Sequence, residues 1–239
     1  YRINLPGVRN WLSTIPVFLI CIQLTAQQTS APSSADKKTD SLLLHIEKMP
    51  PDTQKVKQLF QHCLSISWNN LPAKLEQLAH EAMLISQKEN FIKGRGMASY
   101  VKGFTYYGQR NFQKALDTIT HALNILESVK DITNSGHCHF LMSHINYDMG
   151  NYPQVVYQSG AALARWKLSG YSTLDGVCNN DMALAYIRMG NYSKAVEFSD
   201  KAYRASKLAD DKKGMAQSLH LMGSAFFYLF NEYENAFKN

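Results

Sequence analysis

A repeat of 40 residues constrains this chain more than any other feature of its sequence. Positions spaced 40 apart form sets that we call columns, and two columns contain small residues only: Cys63, Gly103, Ser143, Ala183 and Gly223 in one, Ala82, Ala122, Ala162 and Ala202 in the other. Two antiparallel helices approach to about 8–10 Å only where the facing side chains are small. The columns therefore predict helical hairpins that stack in series.

Each unit is predicted to be a helix, a tight turn, a second helix and a loop. The first helices are predicted at about 55–68, 96–109, 136–149, 174–189 and 214–229. The second helices are predicted at about 72–88, 112–130, 152–168, 192–209 and from 233 onward. A short helix over 40–48, capped by Asp40, precedes them. The predicted fold class is all-α: a right-handed superhelix, or solenoid, of about five hairpins.

Glycines mark two of the predicted turns. Gly150 and Gly190 stand where a first helix must end, a position that favours left-handed backbone. Arg110 holds the equivalent place in the second unit, and Gly108 is expected to share this role there.

The units resemble the tetratricopeptide repeat. The fourth unit matches that family's outline closely, through Ala183, Tyr186, Gly190, Asn191, Tyr192, Ala195 and Ala202. The second unit matches nearly as well, through Gly103, Tyr106, Phe112, Ala115 and Ala122. The third unit departs at Asn146 and Val155, and the first at Cys63, Leu75 and Pro72. The family's usual period is about 34 residues, so a period of 40 implies longer helices. The resemblance covers about residues 55–239.

The first 26 residues are predicted to be a secretory signal peptide. Arg2 and Arg9 precede a short apolar stretch over about 15–24, and Ala26 offers a small residue for cleavage. The alternative is a buried N-terminal helix, which Pro16 disfavours. Residues 27–39 are rich in Ser, Gln and Thr and are predicted to be a flexible linker. The repeat domain then covers 40–239 and is expected to be truncated in its fifth repeat.

An exported start, a polar linker and 40-residue repeats together resemble the periplasmic sensor region of Bacteroidota-type histidine kinases and related membrane-bound regulators. The resemblance implies an exported, periplasmic, non-catalytic module that binds a protein or peptide. Tethering to the membrane would come from a part beyond Asn239. The alternative is a free periplasmic scaffold for envelope protein assembly.

The family resemblance places partner binding on the concave face, which the first helices line. The inward positions, carried over by register, are Phe60, Leu64, Tyr100, Phe104, Tyr107, Phe140, His144, Tyr147, Asn180, Leu184, Arg188, His220 and Phe227. Aromatic rings give a large contact area at low entropy cost. The alternative is that these residues only pack one repeat on the next.

Charge and motifs argue against several other functions. The 25 basic and 19 acidic residues give a net charge of +6, and the basic residues are scattered over all units, so nucleic-acid binding is not expected. The chain has no phosphate-binding glycine loop and no GxSxG motif. It is therefore expected to have no cofactor and not to be an enzyme.

His137, Cys138, His139 and His144 form the most suggestive cluster for chemistry. A structural zinc site usually needs four converging ligands, and His137 and His139 do not share a helical face. No metal is expected, and the histidines are predicted to line the groove or the core. Cys63, Cys138 and Cys178 are predicted to be free, mostly buried thiols, because stacked helices hold equivalent positions too far apart for a disulfide.

Overall fold

The computed structural model of the protein describes residues 34–65 and 74–238. The predicted signal peptide over 1–26, most of the predicted linker over 27–39 and the turn before Pro72 lie outside these residues. The helices of the described part are α1 Ser34–Lys48, α2 Thr53–Ser65, α3 Lys74–Lys88, α4 Ile92–Gly108, α5 Phe112–Ser128, α6 Ile132–Asp148, α7 Tyr152–Ser169, α8 Asp175–Arg188, α9 Tyr192–Leu208 and α10 Lys212–Lys238.

From Lys38 to Asn239 the chain is one compact unit, in which the helices form a stack of hairpins. Helices α2 to α9 pair as four successive hairpins, and α10 packs on α9 and α8. The first helices α2, α4, α6, α8 and α10 contact one another in series, whereas within the described residues the second helices do not. The first helices therefore form the inner, more closely spaced layer. The predicted all-α solenoid is confirmed.

The predicted columns form the contact surfaces between helices. Ala122, Ala162 and Ala202 are completely buried, and Ala82 is nearly so. A Cβ atom added to Gly103 would lie 2.5 Å from Cδ1 of Ile119 on the second helix of the same hairpin. The sequence analysis did not identify one further column with the same spacing, which consists of Gly96, Gly136 and Gly176. Each of these glycines lies against a side chain of the following helix: Leu126, Trp166 and Ser206, respectively.

Left-handed turns recur every 20 residues rather than every 40. Positive φ angles occur at Asn90, Arg110, Lys130, Gly150, Gly170, Gly190 and Asp210. Each 40-residue unit is thus built from two halves, each with one helix and one short turn. Gly150 and Gly190 adopt the left-handed conformation as predicted. In the turn between α4 and α5, Arg110 alone takes the left-handed backbone, because Gly108 still belongs to α4.

The helix starts differ from the predictions at three places. Helix α1 begins at Ser34, inside the predicted linker, so Asp40 is not its cap. Helices α4 and α6 begin at Ile92 and Ile132, before the predicted residues 96 and 136. In α6 the reason is a capping side chain, because Asp131 accepts a hydrogen bond from the backbone N–H of Asn134 at 3.3 Å.

The predicted break in the fifth unit is wrong. The prediction placed a turn before residue 233, but α10 runs without interruption from Lys212 to Lys238. The segment 228–232 has neither glycine nor proline, unlike the turns that contain Gly150 and Gly190. A helix continues by adding one hydrogen bond per residue unless something favours a turn. Turns without glycine or proline do form at Asn90, Lys130 and Asp210, so the local sequence alone does not explain why α10 continues.

Two further findings bear on the sequence predictions. Cys63, Cys138 and Cys178 are free and buried, as predicted. Among the described residues, the structure contains no helix with the length and apolar character that a bilayer crossing requires.

Candidate binding groove

The predicted partner-binding residues divide into three groups by exposure. Tyr100, Phe104, Tyr107 and Asn180 are buried, with exposed fractions between 2% and 5%. Phe140, His144 and Tyr147 on α6 are half-buried. Arg188, His220 and Phe227 are exposed. The ten residues therefore do not form one accessible surface.

The buried group is a correction to the sequence analysis. Tyr100 lies edge-on against Phe60, itself fully buried, with ring centroids 5.2 Å apart. The two rings come from α4 and α2, so they pack one hairpin on the next. A side chain that fills the space between hairpins has no surface left for a partner. In this structure Tyr100, Phe104, Tyr107 and Asn180 therefore serve the core, which is the alternative that the sequence left open.

One accessible part of the inner layer lies on α6 and α8. We call it the inner groove and define it by the side chains of Phe140, His144, Tyr147, Asp148, Asp181 and Arg188. Arg188 Nη2 donates a hydrogen bond to Tyr147 Oη at 3.4 Å. This hydrogen bond raises the pKa of Arg188, whose guanidinium is charged at any pH at which the protein is folded. The groove thus pairs a fixed positive charge with an aromatic ring across two hairpins.

Asp148 links the groove to the preceding hairpin. Tyr107 Oη donates to Asp148 Oδ2 at 3.0 Å, and Arg110 Nη1 donates to the same oxygen at 3.2 Å. Burial, together with the neighbouring Asp148 carboxylate, raises the pKa of Tyr107. Tyr107 therefore remains a donor, and its hydroxyl keeps the carboxylate in place at the edge of the groove.

His144 and Asp181 face each other in the middle of the groove. His144 Nε2 and Asp181 Oδ2 are 3.6 Å apart, and their side chains are 15% and 18% exposed. Burial lowers the pKa of His144 to about 4 and raises the pKa of Asp181 to about 7. Since burial favours the neutral form of both groups, and 3.6 Å exceeds an ordinary hydrogen-bond length, this contact is not a strong salt bridge.

The sequence analysis did not identify Asp181, although the residues at equivalent positions of the other repeats set it apart. The equivalent positions one repeat before and after are Leu141 and Leu221, both buried, and Val101 is buried two repeats before. An acidic residue in an otherwise apolar column marks a site where packing alone does not explain the residue.

The other two histidines of the predicted cluster, His137 and His139, pack between helices. His137 contacts the rings of Trp166 and Tyr171, with centroids 5.2 and 5.3 Å away, and burial lowers its pKa to about 4. His139 Nδ1 lies 2.6 Å from Gln158 Oε1. Trp166 is fully buried and donates its indole N–H to the Thr133 carbonyl at 3.1 Å. In the part of the chain that the structure describes, no three His, Cys, Asp or Glu side chains converge as metal ligands would.

Solved structures that are similar to this chain are helical repeat proteins. A Rap protein complexed with Competence and Sporulation Factor has a TM-score of 0.61 at 16% identity, over 82% of this chain and 61% of that chain. A Signal Transduction ATPase with Numerous Domains from Pyrococcus horikoshii, which has a tetratricopeptide repeat sensor, has a TM-score of 0.57 at 18% identity. A putative kinesin light chain from Podosopora anserina with TPR-like repeats has a TM-score of 0.54 at 14% identity, over 82% and 89% of the two chains.

The low sequence identity and the partial coverage restrict the conclusions that these structural similarities support. This chain aligns over 80% of its length with the Pyrococcus horikoshii protein but spans only 32% of that protein. No protein-family model matches the chain, and no curated protein matches it significantly. At these identities the similarity concerns the fold and not the activity. The chain has the fold of the tetratricopeptide-like helical repeat proteins.

Proposed function

We propose that this chain is a non-catalytic module that binds a protein or peptide segment in the inner groove. The observation that carries the proposal is the groove itself, in which the half-buried rings of Phe140 and Tyr147 lie beside polar groups of two hairpins. Aromatic rings flanked by a charged group are typical of interface hot spots. The Rap protein similar in fold is described in complex with Competence and Sporulation Factor, which supports a binding role for this fold.

The polar groups of the groove suit recognition better than catalysis. Arg188 is held by Tyr147, and Asp148 by Tyr107 and Arg110. A held charge can orient the backbone or a side chain of an extended segment with little loss of entropy. Burial keeps His144 neutral at neutral pH and, by raising the pKa of Asp181 to about 7, leaves that carboxyl group only partly ionised. We therefore assign both side chains to packing and hydrogen bonding with the partner.

Selection of phage-displayed random peptides on the full chain tests this proposal. We expect enriched peptides that lose at least ten-fold in affinity with Tyr147→Ala or Arg188→Ala, since hot-spot truncations cost more than about 1.4 kcal/mol. Matched controls are Tyr157→Ala on α7 and Arg204→Ala on α9, which are exposed side chains of the outer helices. Their affinities should stay within two-fold. Peptides that bind all four variants equally well would place the site elsewhere.

We further propose that the module is exported and acts as the sensor region of a membrane-bound signalling protein. Its support is the charged, then apolar, then small-residue order of residues 2–26. The ATPase from Pyrococcus horikoshii, whose similar repeats are described as a sensor, supports a sensory use of this fold. A free periplasmic scaffold for envelope protein assembly is the alternative function for an exported module of this kind.

Export predicts a defined mature N-terminus. When the chain is expressed in a Gram-negative host with an added initiator Met, we expect periplasmic protein that begins at Gln27. Ala26→Arg should block cleavage, because the processing site needs a small residue, whereas Ala31→Arg should leave cleavage unchanged. N-terminal sequencing makes the measurement. Full-length protein retained in the cytoplasm would contradict the proposed export.

A further inference from the structure

We propose that a cavity between α5, α6 and α7 is a second ligand site, which binds a small aliphatic carboxylate. The cavity has a volume of about 470 Å³, within the range of small-molecule sites. We call it the edge cavity and define it by its lining, which comes from the end of α5 and the turn after it, the start of α6 and the end of α7: Glu127, Lys130, Ile132, Ser135, Ala164, Arg165 and Leu168. It shares no residue with the inner groove, so it goes beyond the function proposed above.

Two small side chains leave room for the edge cavity. Ser135 and Ala164 line it, on α6 and α7. At the position of Ser135, every other repeat has a larger side chain: Lys55, Arg95, Asp175 and Met215. The same holds for the position of Ala164: Leu84, Asn124 and Arg204. The cavity is therefore a property of this one place in the stack and not of the repeat in general.

Aliphatic side chains form the apolar wall of the edge cavity. Ile132 is 41% exposed and Leu168 is 77% exposed. Ala164 lies four residues before Leu168 in α7 and therefore shares its helical face. A hydrocarbon chain bound against this wall would remove apolar surface from water, which is the main driving force for such binding.

The polar lining of the edge cavity carries one positive charge in excess. Arg165 Nη2 donates to Glu127 Oε1 at 2.5 Å, so these two charges offset each other. Lys130, by contrast, forms no ion pair with a residue in the described part of the chain. An unbalanced cation beside an apolar wall is complementary to a ligand that has one carboxylate and a hydrocarbon chain.

The backbone of Lys130 supports a functional role for its cation. Its φ angle is 57°, in the left-handed region that lysine adopts less readily than glycine, asparagine or aspartate. Those three residue types stand at the equivalent turns: Asn90, Gly170 and Asp210. Arg110 is also left-handed, but its guanidinium pairs with Asp148 at 3.2 Å. A residue held in an unfavourable conformation without an internal partner indicates a function.

Titration of the full chain with octanoate, followed by the chemical shifts of the backbone amides, tests the site. We expect one bound octanoate with a dissociation constant between about 10 µM and 1 mM, as suits a ligand of about ten non-hydrogen atoms. Octylamine, whose head group is positive, should bind at least ten-fold more weakly, and so should acetate, which lacks the chain. N-acetyl-leucine carries the same two groups as the end of a peptide. Binding tighter than that of octanoate would identify a peptide C-terminus as the source of the carboxylate.

Substitutions separate the cation from the cavity. Lys130→Gly should weaken octanoate binding at least five-fold and yet raise the melting temperature by about 2–4 °C, because glycine adopts the left-handed backbone without strain. Ala164→Trp should abolish binding by filling the cavity. The matched controls are Lys207→Met and Gln154→Trp, at exposed positions of α9 and α7 that do not line the cavity.

The controls should bind octanoate within two-fold of the unchanged chain. The proposal would be overturned if octanoate did not bind, or if octylamine bound equally well. Unchanged octanoate binding in Lys130→Gly or in Ala164→Trp would overturn it too, since either result would place the ligand outside the edge cavity.

Discussion

Gly136→Ala is expected to lower the free energy of unfolding by about 3 kcal/mol, because the added methyl group enters a packed aromatic cluster. A Cβ atom on Gly136 would lie 2.6 Å from Cδ1 of Trp166 and closer still to its Nε1. The indole cannot move aside easily, since it is fully buried and its N–H donates to the Thr133 carbonyl. The cost exceeds the gain of about 1 kcal/mol that alanine normally brings to a helix interior.

Gly160→Ala is the matched control for this prediction. Gly160 also lies inside a helix, α7, but a Cβ atom there would meet nothing within 4 Å. The same substitution should therefore raise the free energy of unfolding by up to about 1 kcal/mol. Urea unfolding followed by far-ultraviolet circular dichroism measures both variants. Equal effects of the same sign would show that Trp166 does not hold α6 against α7 as described.

The second large effect concerns His144 and Asp181. The equivalent pair one repeat earlier is Phe104 and Leu141, which are buried and apolar. The double variant His144→Phe with Asp181→Leu copies that pair and is expected to raise the free energy of unfolding by about 1–4 kcal/mol, as seen when buried polar pairs are replaced by apolar ones. Thermal unfolding at pH 7 checks this. A lower melting temperature would contradict the prediction.

The single variants His144→Phe and Asp181→Leu should show opposite dependences of the free energy of unfolding on pH between about pH 4 and 6.5. The folded-state pKa of Asp181 is raised to about 7, so its contribution to stability is present at low pH and is lost as the pH rises. The folded-state pKa of His144 is lowered to about 4, so stability is lost as the pH falls below the ordinary range of a histidine. With both groups present, the two effects offset each other.

His144→Phe, which leaves only Asp181, should therefore lose stability relative to the double variant as the pH rises from 4 to 7. Asp181→Leu, which leaves only His144, should gain stability over the same interval. Comparison with the double variant removes the contribution of all other titrating groups. Denaturant unfolding at four pH values makes the measurement. Parallel profiles for the two single variants would show that burial does not control their protonation.

Much of the architecture was predictable because it rests on local rules that repeat. Small residues at a spacing of 40, such as Ala122 and Ala162, predicted which helices touch and were found completely buried. Gly150 and Gly190 predicted turns because few other residues adopt left-handed backbone. The contact of Gly136 with Trp166 could have been predicted from the same spacing, since Gly96 and Gly176 share its column.

The binding residues were less predictable because their exposure depends on neighbours far away in the chain. Register placed Tyr107 and Tyr147 in equivalent positions of α4 and α6, 40 residues apart, yet Tyr107 is buried and Tyr147 remains half-buried in the groove. Nothing within either helix distinguishes the two tyrosines. The way each hairpin packs on the preceding one decides the difference.

By itself, the sequence determined that this chain is a stack of helical hairpins, because a small side chain at a fixed interval permits close helix packing wherever the hairpin lies in the series. Only the tertiary structure decided which inner side chains remain accessible, and that α10 continues straight past the predicted turn. A turn without glycine or proline forms when a second helix can pack back on the first, and that packing energy is a property of the assembled fold rather than of any local segment.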